Sequence, residues 1–294
     1  MKRGTIGLVG AGAVGPAIAL RLIQAGWSVA TVASSRLERA QNVASMVGAG
    51  CATTENPEAA RSADLLLLAV PDREIAGVAA EIATAGVVRG GTLVLHFSGA
   101  LSSEILEPLR PVGAVVGSIH PLQSFADLAA ALDRLSGTFL FYEGDDPDRI
   151  RAVAEDLGGR PMPIDPAGKV LYHAGAAAAC NLAVAMIDLG IRLFGEAGIG
   201  REDALAALLP LIKGTVDNLS GVGLPDALTG PVARGDVGTV KGHLKAIREH
   251  CPEFLPAYAK TSLHAIRVGL EKGSLGPVAA NALTRILSDP RYAE

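Results

Sequence analysis

Cysteine is scarce in this chain. Cys51, Cys180 and Cys251 are odd in number and far apart, which excludes a disulfide framework and leaves no metal-ligand spacing. No metal site is expected. A reducing, cytoplasmic setting is the simplest reading. Aromatic residues make up only 4%, too few for stacking platforms. The net charge is -4 with both signs interspersed, so the basic stripe of a nucleic-acid binder is missing. Uninterrupted apolar runs are also missing. Mean hydropathy is positive, yet no run approaches the roughly 18 residues of a membrane span. The longest candidate, Ala174 to Leu189, contains Asn181 and Asp188 and is expected to be a buried helix. Lys2 and Arg3 lead into a glycine-rich turn rather than an apolar leader.

What is abundant is apolar and small. Apolar residues are 49% of 294, enough for two domains with large cores. In the first half, short β-like runs alternate with helical stretches: Thr5–Val9, Trp27–Ala33, Leu65–Val70, Thr92–His96, Ala114–Ile119, Thr138–Tyr142 and Arg160–Ile164. Such alternation predicts a doubly wound α/β domain, its parallel sheet covered on both faces. From Pro166 onward only helical periodicity remains, broken at Gly198–Gly200, Gly221–Pro225, Gly230–Pro231, Pro252 and Gly276–Pro277. The expected organisation is therefore an N-terminal Rossmann domain over 1–165 and an all-helical domain over 166–294.

Gly10-Ala11-Gly12-Ala13-Val14-Gly15 fits G-x-G-x-x-G. Among 35 glycines a lone match is weak, but this one leaves a β-run and opens a helix, as a dinucleotide site requires. Gly10 would make the tight turn, Gly12 admit the pyrophosphate, and Gly15 let helix and strand pack closely. Ala13 and Val14 would offer backbone N–H groups at the helix N-terminus. At the end of the second run, Ser34-Ser35-Arg36 stand where an NAD site usually has a carboxylate. Hydroxyls and a guanidinium suit a 2′-phosphate, so NADP(H) is the expected cofactor. Ser34 would alternatively cap the next helix and leave Arg36 solvated. Val70 and Pro71, and farther on Ser98, follow later strands and are expected to line the cofactor.

Hydride chemistry also needs a proton donor. One candidate is His120, just past a strand in Gly117-Ser118-Ile119-His120-Pro121-Leu122-Gln123-Ser124-Phe125. Another is the face shared by Lys169 and His173, four apart on the first long helix, with Asn181 near its continuation. A solvated Lys169 and a core His173 are the bland alternatives.

With GLVGAGAVG, GSIHPLQSF, KVLYHAGAAAACN and LTGPVARGD, the whole chain resembles the Rossmann-like plus DUF2520 proteins of the 6-phosphogluconate dehydrogenase-like superfamily. The resemblance implies a helical second domain that commonly dimerises, an active site in the cleft between domains, and a small-molecule substrate. Related β-hydroxyacid dehydrogenases carry a catalytic lysine where Lys169 stands, but their Lys-x-x-x-Asn is here Lys-x-x-x-His. The proton donor thus stays open among His120, Lys169 and His173, with Asn181 orienting the substrate. The expected activity is reversible hydride transfer between NADP(H) and a small carbonyl, imine or hydroxy acid, with ketopantoate reductase and pyrroline-5-carboxylate reductase chemistry nearest. A regulator that binds NADPH without turnover is the rival from another class. Thr229-Gly230-Pro231 and Arg234-Gly235-Asp236 are expected to form a turn, either lining a cleft or contact or merely joining helices.

Overall fold

The computed structural model describes residues 3–124 and 128–292; Phe125, the last residue of the His120 segment, lies outside them. The chain divides into two compact units, Met1–Ala179 and Cys180–Glu294.

Among its described residues the first unit has an eight-stranded sheet and seven α-helices. Its strands are β1 (Thr5–Val9), β2 (Ser28–Ala33), β3 (Cys51–Thr53), β4 (Leu65–Leu68), β5 (Leu93–His96), β6 (Val115–Pro121), β7 (Phe139–Gly144) and β8 (Arg160–Pro163). The helices are α1 (Val14–Gln24), α2 (Leu37–Val47), α3 (Asn56–Ala60), α4 (Asp72–Ala85), α5 (Leu128–Leu135), α6 (Pro147–Asp156) and α7 (Lys169–Ala179). Strand order is β3-β2-β1-β4-β5-β6-β7-β8, so its first six strands follow the Rossmann order, which reverses direction between β1 and β4.

Leu65-Leu66-Leu67-Leu68 shows why a continuous apolar run becomes a strand here. Successive side chains point to opposite faces, and all four are fully buried. Leu65 and Leu67 join the core beneath α1, α2, α5 and α6, while Leu66 and Leu68 join the core beneath α3 and α4. Each such leucine contributes about 1.5–3 kcal/mol, which a half-buried strand could not match.

Two expectations about the sheet need correction. The sheet is not wholly parallel, because β6 and β7 pair antiparallel, with Ser118 opposite Glu143 and His120 opposite Phe141. For the same reason His120 does not follow a strand but lies within one. Pairing with β7 extends β6 through Pro121, whose partner is Leu140. The short edge strand β3 had no apolar run to announce it.

The second unit contains α8 (Asn181–Glu196), α9 (Arg201–Val222), α10 (Val237–His250), α11 (Leu255–Lys272) and α12 (Pro277–Leu287), and no strand among its described residues. Val240, Leu244, Ile247, Leu255, Ile266 and Leu283 form its core. The segment Leu228–Asp236 is the turn between α9 and α10. There Asp236 accepts from the Thr239 N–H and hydroxyl, an N-cap that begins α10.

Ala174–Leu189 corrects the expectation of a buried helix. Most of it is exposed, including Leu182 at 60% and Val184 at 67%. By length and composition alone, Pro166–Glu196 is apolar enough to cross a membrane. It is instead interrupted at Cys180, between α7 and α8, and α7 is tied to the sheet through buried Lys169. α9 is equally uncovered: Leu209, Leu211, Val216 and Val222 are each more than half exposed.

Candidate functional site

The carboxyl ends of four adjacent strands open into one cleft of about 350 Å³. Gly12, Ala13 and Val14 follow β1, and Ala69 to Asp72 follow β4. Phe97 and Ser98 follow β5, with His120, Pro121 and Gln123 at the end of β6. This is the switch point where doubly wound sheets bind ligands.

The glycine loop has the geometry its spacing predicts. Gly10 adopts φ +110°, and a Cβ there would meet the Ala69 carbonyl at 2.3 Å. A Cβ on Gly15 would lie 2.5 Å from the Gly10 carbonyl, so only glycine lets α1 begin this close to β1. Gly12 differs: nothing lies within 4 Å of its Cβ position, leaving its backbone open toward the cleft. Behind it, α1 starts with Ala13 as N-cap, with no side-chain cap bond and no acidic residue in the first turn. Its free N–H groups and dipole therefore favour an anion.

Ser34 is buried at the end of β2, while Ser35 and Arg36 are exposed. Arg36 is itself the N-cap of α2 and no side chain caps that helix, so Ser34 does not act as its cap. Arg36 has no ion-pair partner among the described residues. Ser98 is fully engaged: its hydroxyl donates to Asp72 Oδ2 at 2.7 Å and accepts from the Ala100 and Leu101 N–H groups. It thereby holds the β5 loop against the start of α4.

Beside the cleft, a row of polar groups crosses the sheet. His96 on β5 is in register with Ser118 on β6, and Ser118 with Glu143 on β7. All three are buried. Glu143 accepts from the Ser103 N–H at 2.8 Å, the Ser103 hydroxyl at 2.7 Å and the Ser118 hydroxyl at 2.8 Å. From α7, Lys169 donates to Ser118 Oγ and lies 3.3 Å from Glu143 Oε1. Burial opposes ionisation of Glu143, but the bonds from Ser103 and Ser118 and the Lys169 charge together hold its pKa below the usual carboxylate value. Burial lowers the Lys169 pKa, and Glu143 offsets part of that. Lys169 is only 1% exposed. It is neither a solvated first-turn residue nor a group on the protein surface.

Burial, and then the Lys169 charge, push the His96 pKa down to about 4. Its Nδ1 accepts from the Ser98 N–H, so Nε2 carries the proton and donates to the Ser102 carbonyl at 3.2 Å. His120 is also lowered to about 4, first by burial and then by Lys169 and His173. Its Nδ1 lies 2.7 Å from the Tyr172 hydroxyl. Tyr172 packs on Phe141, ring centroids 4.5 Å apart, and burial raises its pKa to about 12. The His173 ring stands edge-on to His120 at 6.1 Å.

The structure thus brings His120, Lys169 and His173 to the end of the sheet that carries the glycine loop. Asn181 belongs to the second unit, where it is exposed at the start of α8. Residue patterns alone missed Asp72, Ser118, Glu143 and Tyr172 as site members. Glu143 carried one usable signal, as a carboxylate closing the apolar run Phe139–Tyr142. The second unit holds a larger cavity, about 600 Å³ and mainly apolar, lined by residues such as Leu193, Val232 and Ile247. It has no glycine loop to receive a phosphate.

Comparison with known families agrees with this geometry. A Rossmann-like domain matches residues 1–121 and a domain of unknown function, DUF2520, matches residues 138–265. The chain pairs a Rossmann-like domain with a DUF2520 domain. No curated protein matches it. Among solved structures, a Thermotoga maritima protein is 26% identical with a TM-score of 0.74, covering 90% of this chain and 98% of its own. A Bacteroides fragilis protein provisionally named an NADP oxidoreductase is 23% identical with a TM-score of 0.71 and the same coverages. A reductive aminase from Aspergillus terreus, in complex with NADPH and ethyl levulinate, is 15% identical. Its TM-score is 0.62, with coverages of 97% and 99%. The last two likenesses establish the fold.

Proposed function

We propose that this Rossmann–DUF2520 protein is an NADP(H)-dependent oxidoreductase acting on a small carbonyl, imine or hydroxy-acid substrate. One observation carries the reading: the open glycine loop and the imidazole of His120 line the same cleft. The Bacteroides protein's name and the NADPH held by the Aspergillus reductive aminase support it.

The residues present fit the cofactor. Gly12 and the α1 N-terminus would receive the pyrophosphate, and Ser34, Ser35 and Arg36 the 2′-phosphate. Val70, Pro71 and Ser98 would line the dinucleotide. When bound, the nicotinamide supplies or accepts the hydride. His120, a neutral imidazole at pH 7, donates a hydrogen bond from its one N–H to the substrate oxygen or nitrogen and yields that proton as charge develops. Lys169 acts through its charge, from within the buried row. His173 borders the same imidazole, and Asn181 is the candidate for orienting substrate.

The exposed apolar faces of α8 and α9 suit burial against a second copy of the chain, and we place the protein in the cytoplasm as a homodimer. Light scattering checks the assembly: a monomer at micromolar concentration refutes it. Fluorescence titration with NADPH and NADH, side by side, tests the main reading. Tight NADPH and weak NADH binding is expected, and binding of neither overturns it. Tight NADPH binding with no turnover of any small carbonyl or imine would instead favour a regulator.

A further inference from the structure

We propose that Tyr172 is a positioning and relay residue for His120: its phenol O–H donates to Nδ1, which fixes the imidazole as the Nε2–H tautomer and aims that proton at the substrate. The inference rests on the oxidoreductase reading and names how its proton is delivered.

Three observations carry it. First, the 2.7 Å contact uses Nδ1, and a phenol facing an unprotonated imidazole nitrogen is the better donor of the two. The ring proton is thereby left on Nε2. Second, Nε2 has no acceptor among the described residues, although His120 is partly buried and lines the cleft. A donor without a protein partner at a ligand site is available to a ligand. Third, the approach depends on Gly99. A Cβ there would lie 2.8 Å from His120 Nε2 and Cε1, and 2.8 Å from His173 Cδ2. Gly99 leaves the room in which the proton-bearing edge stands. Tyr172 is held in turn by the Phe141 ring, the residue opposite His120 on β7.

The step balances as follows. A bound, reduced nicotinamide would supply the hydride for the new C–H bond, and the carbonyl or imine π pair would move to oxygen or nitrogen. The His120 Nε2–H bond breaks to protonate that atom while the Tyr172 O–H proton passes to Nδ1. Solvent then reprotonates Nε2, and Nδ1 returns its proton to the phenolate, so that the ring and the phenol regain their starting forms.

The test uses the full chain without cofactor. Imidazole ¹⁵N NMR at pH 7 should show His120 as the Nε2–H tautomer. In Tyr172→Phe it should become a mixture of tautomers, with the His120 pKa raised because a bond to the neutral form is gone. His96, whose tautomer is set by Ser98 and Ser102, should be unchanged in the variant and so reports that the fold is intact. An Nδ1–H tautomer in the wild type, or no change in Tyr172→Phe, overturns the relay. With 1-pyrroline or pyruvate as probe, Tyr172→Phe should lower turnover about 10²-fold while NADPH affinity stays within twofold. Unchanged turnover would also overturn it. Loss of NADPH binding in the wild type would strike the oxidoreductase reading instead, whatever the tautomer.

Discussion

Lys169 and Glu143 have side chains only 2% and 3% exposed, so replacing Lys169 by Met removes one charge from a buried pair. The ammonium leaves Ser118 Oγ and the carboxylate 3.3 Å away. Removing one partner of such a pair costs about 3–5 kcal/mol, because the other charge stays buried and unpaired. Glu143 would keep three hydrogen bonds, from Ser103 twice and from Ser118, which argues for about 3 kcal/mol. In the double variant Lys169→Met, Glu143→Gln no stranded charge remains, and the amide oxygen still accepts from the Ser103 N–H. The two changes should therefore be non-additive by about 1.5 kcal/mol or more. Urea unfolding at pH 7 gives both numbers, and both residues belong to the same compact unit, whose transition is the one to follow. A single-variant loss under about 0.5 kcal/mol, or strict additivity, would refute the account of the buried row.

His96 predicts an acid-side loss of stability. Its folded pKa near 4 lies below the unfolded value of 6.5, so the unfolded chain binds more protons between those limits. Stability should fall as pH drops from about 6.5 to 4, by about 3 kcal/mol from this group alone. Replacement by Asn should flatten that part of the profile, and an equally steep profile in the variant would count against it. Gly10→Ala forces a Cβ against the Ala69 carbonyl at a left-handed φ. A cost of about 2–4 kcal/mol is expected from strain and overpacking, together with loss of NADPH binding; thermal unfolding and titration check both. Arg36→Ala should weaken NADPH binding about tenfold and leave NADH nearly unchanged. Equal loss for both would place Arg36 away from the 2′-phosphate.

Local chemistry made much of this molecule legible in one dimension. Apolar or β-like runs marked seven of the eight strands; a central strand such as β4, buried on both faces, must be apolar throughout, whereas β8 is largely exposed. Thr5–Val9 followed by the glycine spacing located the phosphate loop, because each glycine answers a steric demand within a few residues of itself. The loss of strand-like runs after Arg160–Ile164 marked the change to helices. Three matters lay beyond that reach. Sequence does not print register, so nothing along the chain said that His96, Ser118 and Glu143 form one row; parallel pairing of β5 with β6 and antiparallel pairing of β6 with β7 decided it. Nor does helical periodicity say which side of α7 meets the sheet. Lys169 and His173 share a face by spacing, yet Lys169 is enclosed with Glu143 while the intervening Tyr172 takes the bond to His120. Exposure was the third: Ala174–Leu189 has the composition of a core helix, and only tertiary packing shows that the chain leaves it uncovered. Residue order determined the elements and the phosphate loop, where interactions are local. Contacts between residues fifty positions apart, as between His120 and Tyr172, arise only when the sheet is assembled.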